Sequence, residues 1–117
     1  DESMQALARD SRSLMAGVFG GDFPVVERAA LAIARHPYPS LRARARLMVR
    51  LGPRVGRFKQ LDEGLVSSAK AVAAAARVAD TDGVLRGWGA MVGHCVACHR
   101  LYREPGVASD GGKDGAS

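Results

Sequence analysis

Aromatic side chains are scarce in this sequence: one Trp, two Tyr and three Phe among 117 residues. Lysine is scarce as well, 3 against 14 arginines, and the only two cysteines, Cys95 and Cys98, stand three residues apart. No apolar run approaches the ~18 residues needed to cross a bilayer. Each shortage excludes something. A disulfide framework needs cysteines scattered along the chain, and two near neighbours cannot supply one. Without a long apolar run, no membrane span is expected. With so few aromatics, the core must be filled by small residues, or by something that is not a side chain.

What the chain does have is alanine, 20 of them, within a hydrophobic content of 47%. Alanine is the best helix former, so the composition suits an all-helical protein. Close helix packing or space for a large planar group would both follow from small side chains. The length predicts one domain. Net charge is +5, and six of the arginines lie between Arg42 and Arg57. That cluster reads either as a solvated basic face or as a docking patch for an acidic protein. Nucleic acid is not expected, because no recognised module or aromatic interleaving accompanies the charge.

Glycine and proline divide the chain into helices. A first helix is predicted over 3–18, with Met4, Leu7, Ser11, Leu14 and Val18 as its inward stripe and Gly20-Gly21 as its stop. Asp22 is placed to cap a second helix, with Pro24 in its first turn and Val26, Ala30 and Ile33 inward. His36-Pro37-Tyr38-Pro39 ends it, and His36 is expected to face solvent. Ser40 begins a short helix with Leu41, Ala45 and Met48 inward and Arg42, Arg46 and Arg50 outward, broken by Gly52-Pro53. A long helix over 55–79 keeps a seven-residue repeat through Phe58, Leu61, Leu65, Ser68, Val72, Ala75 and Ala79, the seam of an antiparallel bundle. After the Asp80–Gly83 turn, a last helix over 84–103 carries Leu85, Trp88, Val92, Cys95, His99 and Tyr102 inward. The expected fold is all-α: an antiparallel four-helix bundle over 1–104, followed by a disordered tail over 105–117.

The chemistry concentrates in Cys95-Val96-Ala97-Cys98-His99, a C-x-x-C-H motif of the kind that attaches haem c. On a helix these three residues project from one side, at i, i+3 and i+4. Two thiols so placed can add across the two vinyl groups on one porphyrin edge, and the next imidazole can reach the iron from the same side. Other readings compete. A structural zinc ion needs four ligands in a tetrahedron, whereas His94, Cys95, Cys98 and His99 crowd into six residues. A thioredoxin-like redox pair needs a βαβ context. Gly87, Gly89 and Gly93, each costly in a helix, fit either close helix packing or haem pressed against the backbone. His94 is expected on the surface or in packing, not at the iron.

A lone C-x-x-C-H in the last helix of an all-α chain resembles the class II cytochromes c, the cytochrome c′ family with its low-spin methionine-ligated relatives. The resemblance covers about Met4 to Arg103. It rests on Val92-Gly93-His94-Cys95-Val96-Ala97-Cys98-His99-Arg100-Leu101-Tyr102-Arg103, on the helix pattern, and on the Gly21-Asp22-Phe23-Pro24 turn. It implies a four-helix bundle around one covalent haem c, a periplasmic location, and a homodimer built on the first two helices. Cys95 and Cys98 would form the thioethers and His99 the proximal bond. Low-spin relatives add a methionine on the first helix, here Met4, with Leu7 or Ala8 as alternative distal residues; Met15 falls near the bundle end. Arg9 and Arg12 would reach the propionates or remain on an exposed face. The function implied is electron transfer to an acidic redox partner, with His99 and Met4 as axial ligands. The alternative is an open, five-coordinate site that binds nitric oxide or carbon monoxide. An enzyme is not expected, since no acid–base constellation stands near the motif.

Overall fold

The computed structural model describes residues 2–37 and 39–104, and these form helices joined by tight turns with no strand among them. The tail expected over 105–117 lies outside the described residues. The helices are α1 (Glu2–Gly20), α2 (Phe23–Ala34), α3 (Leu41–Leu51), α4 (Val55–Arg77) and α5 (Thr81–Arg103), with a 3₁₀ turn at Gly52–Arg54 between α3 and α4.

The turns follow from the residues in them. Gly21 takes φ +65°, the left-handed conformation open to glycine. Asp22 then accepts a hydrogen bond from the Val25 N–H at 3.2 Å and caps α2. Ser40 does the same for α3 through Ala43 N–H at 3.1 Å. Asp80 does it for α5 through Gly83 N–H at 3.0 Å. The long helix α4 stops at Arg77, two residues earlier than the heptad pattern predicts. Ala79 leaves the helix with φ +56°, and the Asp80 N–H reaches back to the Ala75 carbonyl at 2.9 Å. A residue with a Cβ thus takes the left-handed position that glycine usually fills.

Contacts along the chain set alternating helix directions. The two-residue link at Gly21-Asp22 turns α2 back along α1. Gly17 lets these two approach: a Cβ there would stand 2.9 Å from Val25 Cγ1 and 3.0 Å from Val26 Cγ2. His36, just after α2, bonds Asp62 in the first half of α4, so those helices also run oppositely. Gly87 of α5 lies against Val72 of α4, and Gly64 of α4 lies against the His94 ring of α5. Packing proceeds α1 on α2, α2 on α4 and α4 on α5. Phe19 and Trp88 bring α1 and α5 together at one end, their rings edge to face with centroids 6.0 Å apart. The four long helices form an antiparallel arrangement in which α1 and α5 meet only sparsely.

The core is small-residue packing around a few larger anchors. Leu14, Val26, Ala30, Ile33, Leu65, Ala69, Val72, Ala73, Ala76, Val84 and Met91 are buried in one cluster. Leu61, Leu65, Ala69, Val72 and Ala76 give α4 its inward row. Ala69 and Ala76 in that row allow close helix approach.

The short helix α3 sits differently from its expected register. Ala43 and Leu47 are half-buried and Leu51 is fully buried, whereas Leu41, Ala45 and Met48 are exposed. The expected inward stripe is the outward one. The sequence offers two apolar faces on this helix, and the one ending in Leu51 is fixed by the Gly52-Pro53 turn that follows it.

Candidate functional site

Helix α5 carries the C-x-x-C-H motif in its last third. Its inward face is set by Val84 and Met91, both buried, with Gly87 against Val72. Cys95 and Cys98 continue that face as half-buried free thiols, and the neighbouring His99 is exposed. Burial raises the Cys95 thiol above its ordinary value. The Cys98 thiol is pushed to about 11, first by burial and then by the negative charges of Asp62 and Cys95. Both thiols are therefore protonated at neutral pH.

The last turn of α5 is held from outside. Arg50 donates from Nε to the Tyr102 carbonyl at 2.8 Å and from Nη2 to the Arg103 carbonyl at 3.2 Å. Its guanidinium also lies over the Tyr102 ring, 5.2 Å from the centroid. Arg54 donates from Nη1 to the Leu101 carbonyl and pairs with Glu104 at 3.3 Å. The carbonyls that a helix C-terminus leaves without partners thus receive charged donors from α3 and the 3₁₀ turn. Arg50 and Arg54 belong to the arginine cluster that the sequence reads as a solvated face or a docking patch. Their position on either side of Gly52-Pro53 was the available signal.

His94 turns away from the thiols. Its imidazole packs on Gly64, and its Nδ1 lies 3.4 Å from Ser68 Oγ. It is a packing residue between α4 and α5, and the six-residue histidine–cysteine cluster does not converge. Among the described residues, no group of three or more His, Cys, Asp or Glu is placed to hold a metal ion. Of the three glycines singled out on α5, only Gly87 makes a close approach, with a built Cβ 2.7 Å from Val72 Cγ2. Gly89 and Gly93 have nothing within 4 Å of such a Cβ.

His36 departs from its expected place in solvent. Its side chain is only 13% exposed. Nδ1 lies 2.8 Å from the Ile33 carbonyl and Nε2 lies 3.1 Å from Asp62 Oδ1. The Asp62 charge that acts on Cys98 is thus held beside His36, at the same end of the bundle as the cysteines.

On α1, Ser3 is buried and donates to the Pro37 carbonyl at 3.1 Å, while Met4 is 47% exposed. The expected inward stripe is rotated by about one residue: Ser3, Leu14 and Gly17 are buried, and Met4 stands on the flank. Met4, Ala8, Arg12, Met15 and Phe19 recur at 4-4-3-4 spacing and so share one side of α1. Phe19, on that side, touches Trp88. Trp88, Val92, Cys95 and His99 recur at 4-3-4 spacing along α5. The two rows begin together at the aromatic contact. The large apolar residues in them stay partly exposed: Met4, Met15, Phe19 and Val92. Arg12 belongs to this row. Arg9 does not, and its exposed guanidinium lies 3.7 Å from Asp10 instead. Leu7 is half-buried and packs against the core.

Comparison with protein-family models, with curated proteins and with solved structures finds no match to this chain. The site therefore rests on its own residues. These are two half-buried thiols and an exposed imidazole on one side of α5, an apolar row on α1 that meets α5 at Trp88, and a charged clamp on the last turn.

Proposed function

We propose that this chain carries one covalent haem c on Cys95 and Cys98, with His99 as proximal ligand, and works as a periplasmic electron carrier of the class II cytochrome c kind. The observation that carries the reading is the C-x-x-C-H segment itself, held so that both thiols and the imidazole share the side of α5 that continues from Trp88. The donor set fits the group: thiols three apart for two thioethers, an imidazole next to the second, and no hydrogen bond from another described residue to compete for His99.

The surroundings fit as well. Met4, Met15, Phe19, Trp88 and Val92 offer apolar surface to a porphyrin plane, and Arg12 on the same row suits a propionate. When bound, the haem supplies a one-electron couple whose potential is set by axial ligand, burial and nearby charge. Cys95 and Cys98 would hold it, and the apolar residues of α1 and α5 would exclude water from its faces. The clamp from Arg50 and Arg54 steadies the turn in which His99 stands. Arg100 and Arg103, exposed within the turn that follows the motif, give the approach to the haem edge a positive character suited to an acidic redox partner. Thioether formation of this kind takes place outside the bacterial cytoplasm, which assigns the periplasm.

Met4 is the proposed distal ligand. Ser3 bonds Pro37, and the adjacent His36 bonds Asp62, whose charge acts on Cys98, which supports a place for the first turn of α1 at the motif's end of the bundle. One observation favours the five-coordinate alternative. Counting back along the antiparallel helices from Phe19 and Trp88 sets Ala8 level with His99, and Met4 about 6 Å further along at 1.5 Å per residue.

An absorption spectrum of the purified protein, oxidised and then reduced with dithionite, with and without carbon monoxide, tests all of this. Haem that stays with the chain in denaturant supports the attachment, and its absence would sink it. A low-spin spectrum with the weak far-red methionine–ferric band, abolished by Met4→Ala, supports electron transfer. A high-spin spectrum that shifts at once with carbon monoxide makes gas binding the function.

A further inference from the structure

Helix α3 has an apolar face that the fold does not use. Leu41, Ala45, Met48 and Val49 fall at i, i+4, i+7 and i+8, on one side of the helix. Leu41 is 77% exposed, Met48 58% and Val49 83%. The opposite face, Ala43, Leu47 and Leu51, is the one turned to the protein. Arg42 and Arg46 border the exposed row on one side, and Arg44 borders it on the other. From Arg28 to Leu61 the chain contains nine Lys and Arg and no Asp or Glu. An apolar strip edged by arginines on a helix of eleven residues is the pattern of a helix that lies in a membrane interface. Its apolar side chains enter the acyl boundary while its basic side chains stay at the headgroups.

We propose that α3 is a peripheral membrane-docking helix, and that its occupant is an anionic lipid surface. Charge complementarity selects the lipid sign, since the whole segment offers no carboxylate to a cationic surface. The form of the face selects a bilayer: the apolar residues make a convex row along one helix, which a deformable surface accommodates along its ~16 Å length. Docking needs no crossing segment, and no helix among the described residues is long and apolar enough to cross a membrane. The proposal does not depend on haem. Arg50 lies outside the docking face, because it is committed to the end of α5.

The test is sedimentation of the full chain with vesicles of phosphatidylcholine alone, and with vesicles in which a third of the lipid is phosphatidylglycerol. Binding is expected to the anionic vesicles and to weaken strongly as salt is raised. Leu41→Ser with Val49→Ser should reduce that binding about tenfold or more. Arg42→Glu with Arg46→Glu should reduce it at least fivefold per arginine. All four side chains are exposed, so thermal unfolding should be unchanged in both variants, and a lowered Tm would disqualify that variant and leave the other to decide. No binding to anionic vesicles would overturn the proposal, as would equal binding by the wild type and both variants. So would a concentration-dependent dimer that the serine variant abolishes, since a second copy would then cover the face.

Discussion

Gly64 and His94 show how one missing side chain fixes another. A Cβ at Gly64 would clash with Nε2 of the His94 ring, which otherwise rests there within reach of Ser68. Gly64→Ala should displace the ring and cost about 1–2 kcal/mol in chemical denaturation, overpacking exceeding the gain in helix propensity. In a His94→Ala background the same substitution should become stabilising, by up to about 1 kcal/mol. The same sign in both backgrounds would show that the ring is not the obstacle. Cys98 offers a second single-residue test, in protein without haem. With its thiol pushed to about 11 from an ordinary 9.0, alkylation by iodoacetamide at pH 8 should run about a hundredfold slower than for a free cysteine peptide. The rate should climb until about pH 11. The folded chain holds that proton more tightly than the unfolded chain, so stability is undiminished below pH 9 and falls as pH rises towards 11. At this scale the sequence was readable wherever local chemistry decides: Asp22, Ser40 and Asp80 cap the helices, and the motif residues share a side of α5. It was not readable for His36, because its burial depends on Asp62, which is 26 residues distant.

Between elements, the last turn of α5 is the place to probe. Arg54→Gln removes the charged donor to the Leu101 carbonyl and the pair with Glu104. Hydrogen–deuterium exchange should quicken at residues 101–104 and stay unchanged in the middle of α4; uniform quickening would point to global destabilisation. The helices and their breaks follow from periodicity and from glycine and proline, so their order was legible. The rotation of α1, α3 and α5 was not: on α5, Val84 and Met91 are buried, while Leu85, Val92, His99 and Tyr102, expected inward, are exposed. On α1 the polar Ser3 is buried, because Pro37 offers it a carbonyl, and Met4 yields the inward place. On α3 two apolar faces satisfy the same period, and only the turn at Gly52 and the reach of two arginines decide between them. Periodicity identifies a stripe but carries no information about which neighbour will cover it.

For the molecule as a whole, stability resides where α1, α2, α4 and α5 meet. Leu14 is fully buried at the α1 face of the core. Leu14→Ala should cost about 2–5 kcal/mol and lower the thermal midpoint by several degrees. Val49→Ala, on the unused face of α3, should stay within about 0.5 kcal/mol of wild type. Equal losses would mean that α3 is packed more deeply than its exposure indicates. The alanine content, ambiguous in the sequence, is only in part a packing device: Ala29, Ala30, Ala69, Ala73, Ala75 and Ala76 are buried, and composition alone could not have separated them from the alanines that stay outside.

The grip of Arg50 and Arg54 on α5 has a consequence for how such a chain can vary. Their donors meet the carbonyls of residues 101–103, which every amino acid carries. Leu101 and Arg103 could therefore drift across related sequences with little effect on the clamp, while the arginine pair, four apart and straddling Gly52-Pro53, would have to travel together.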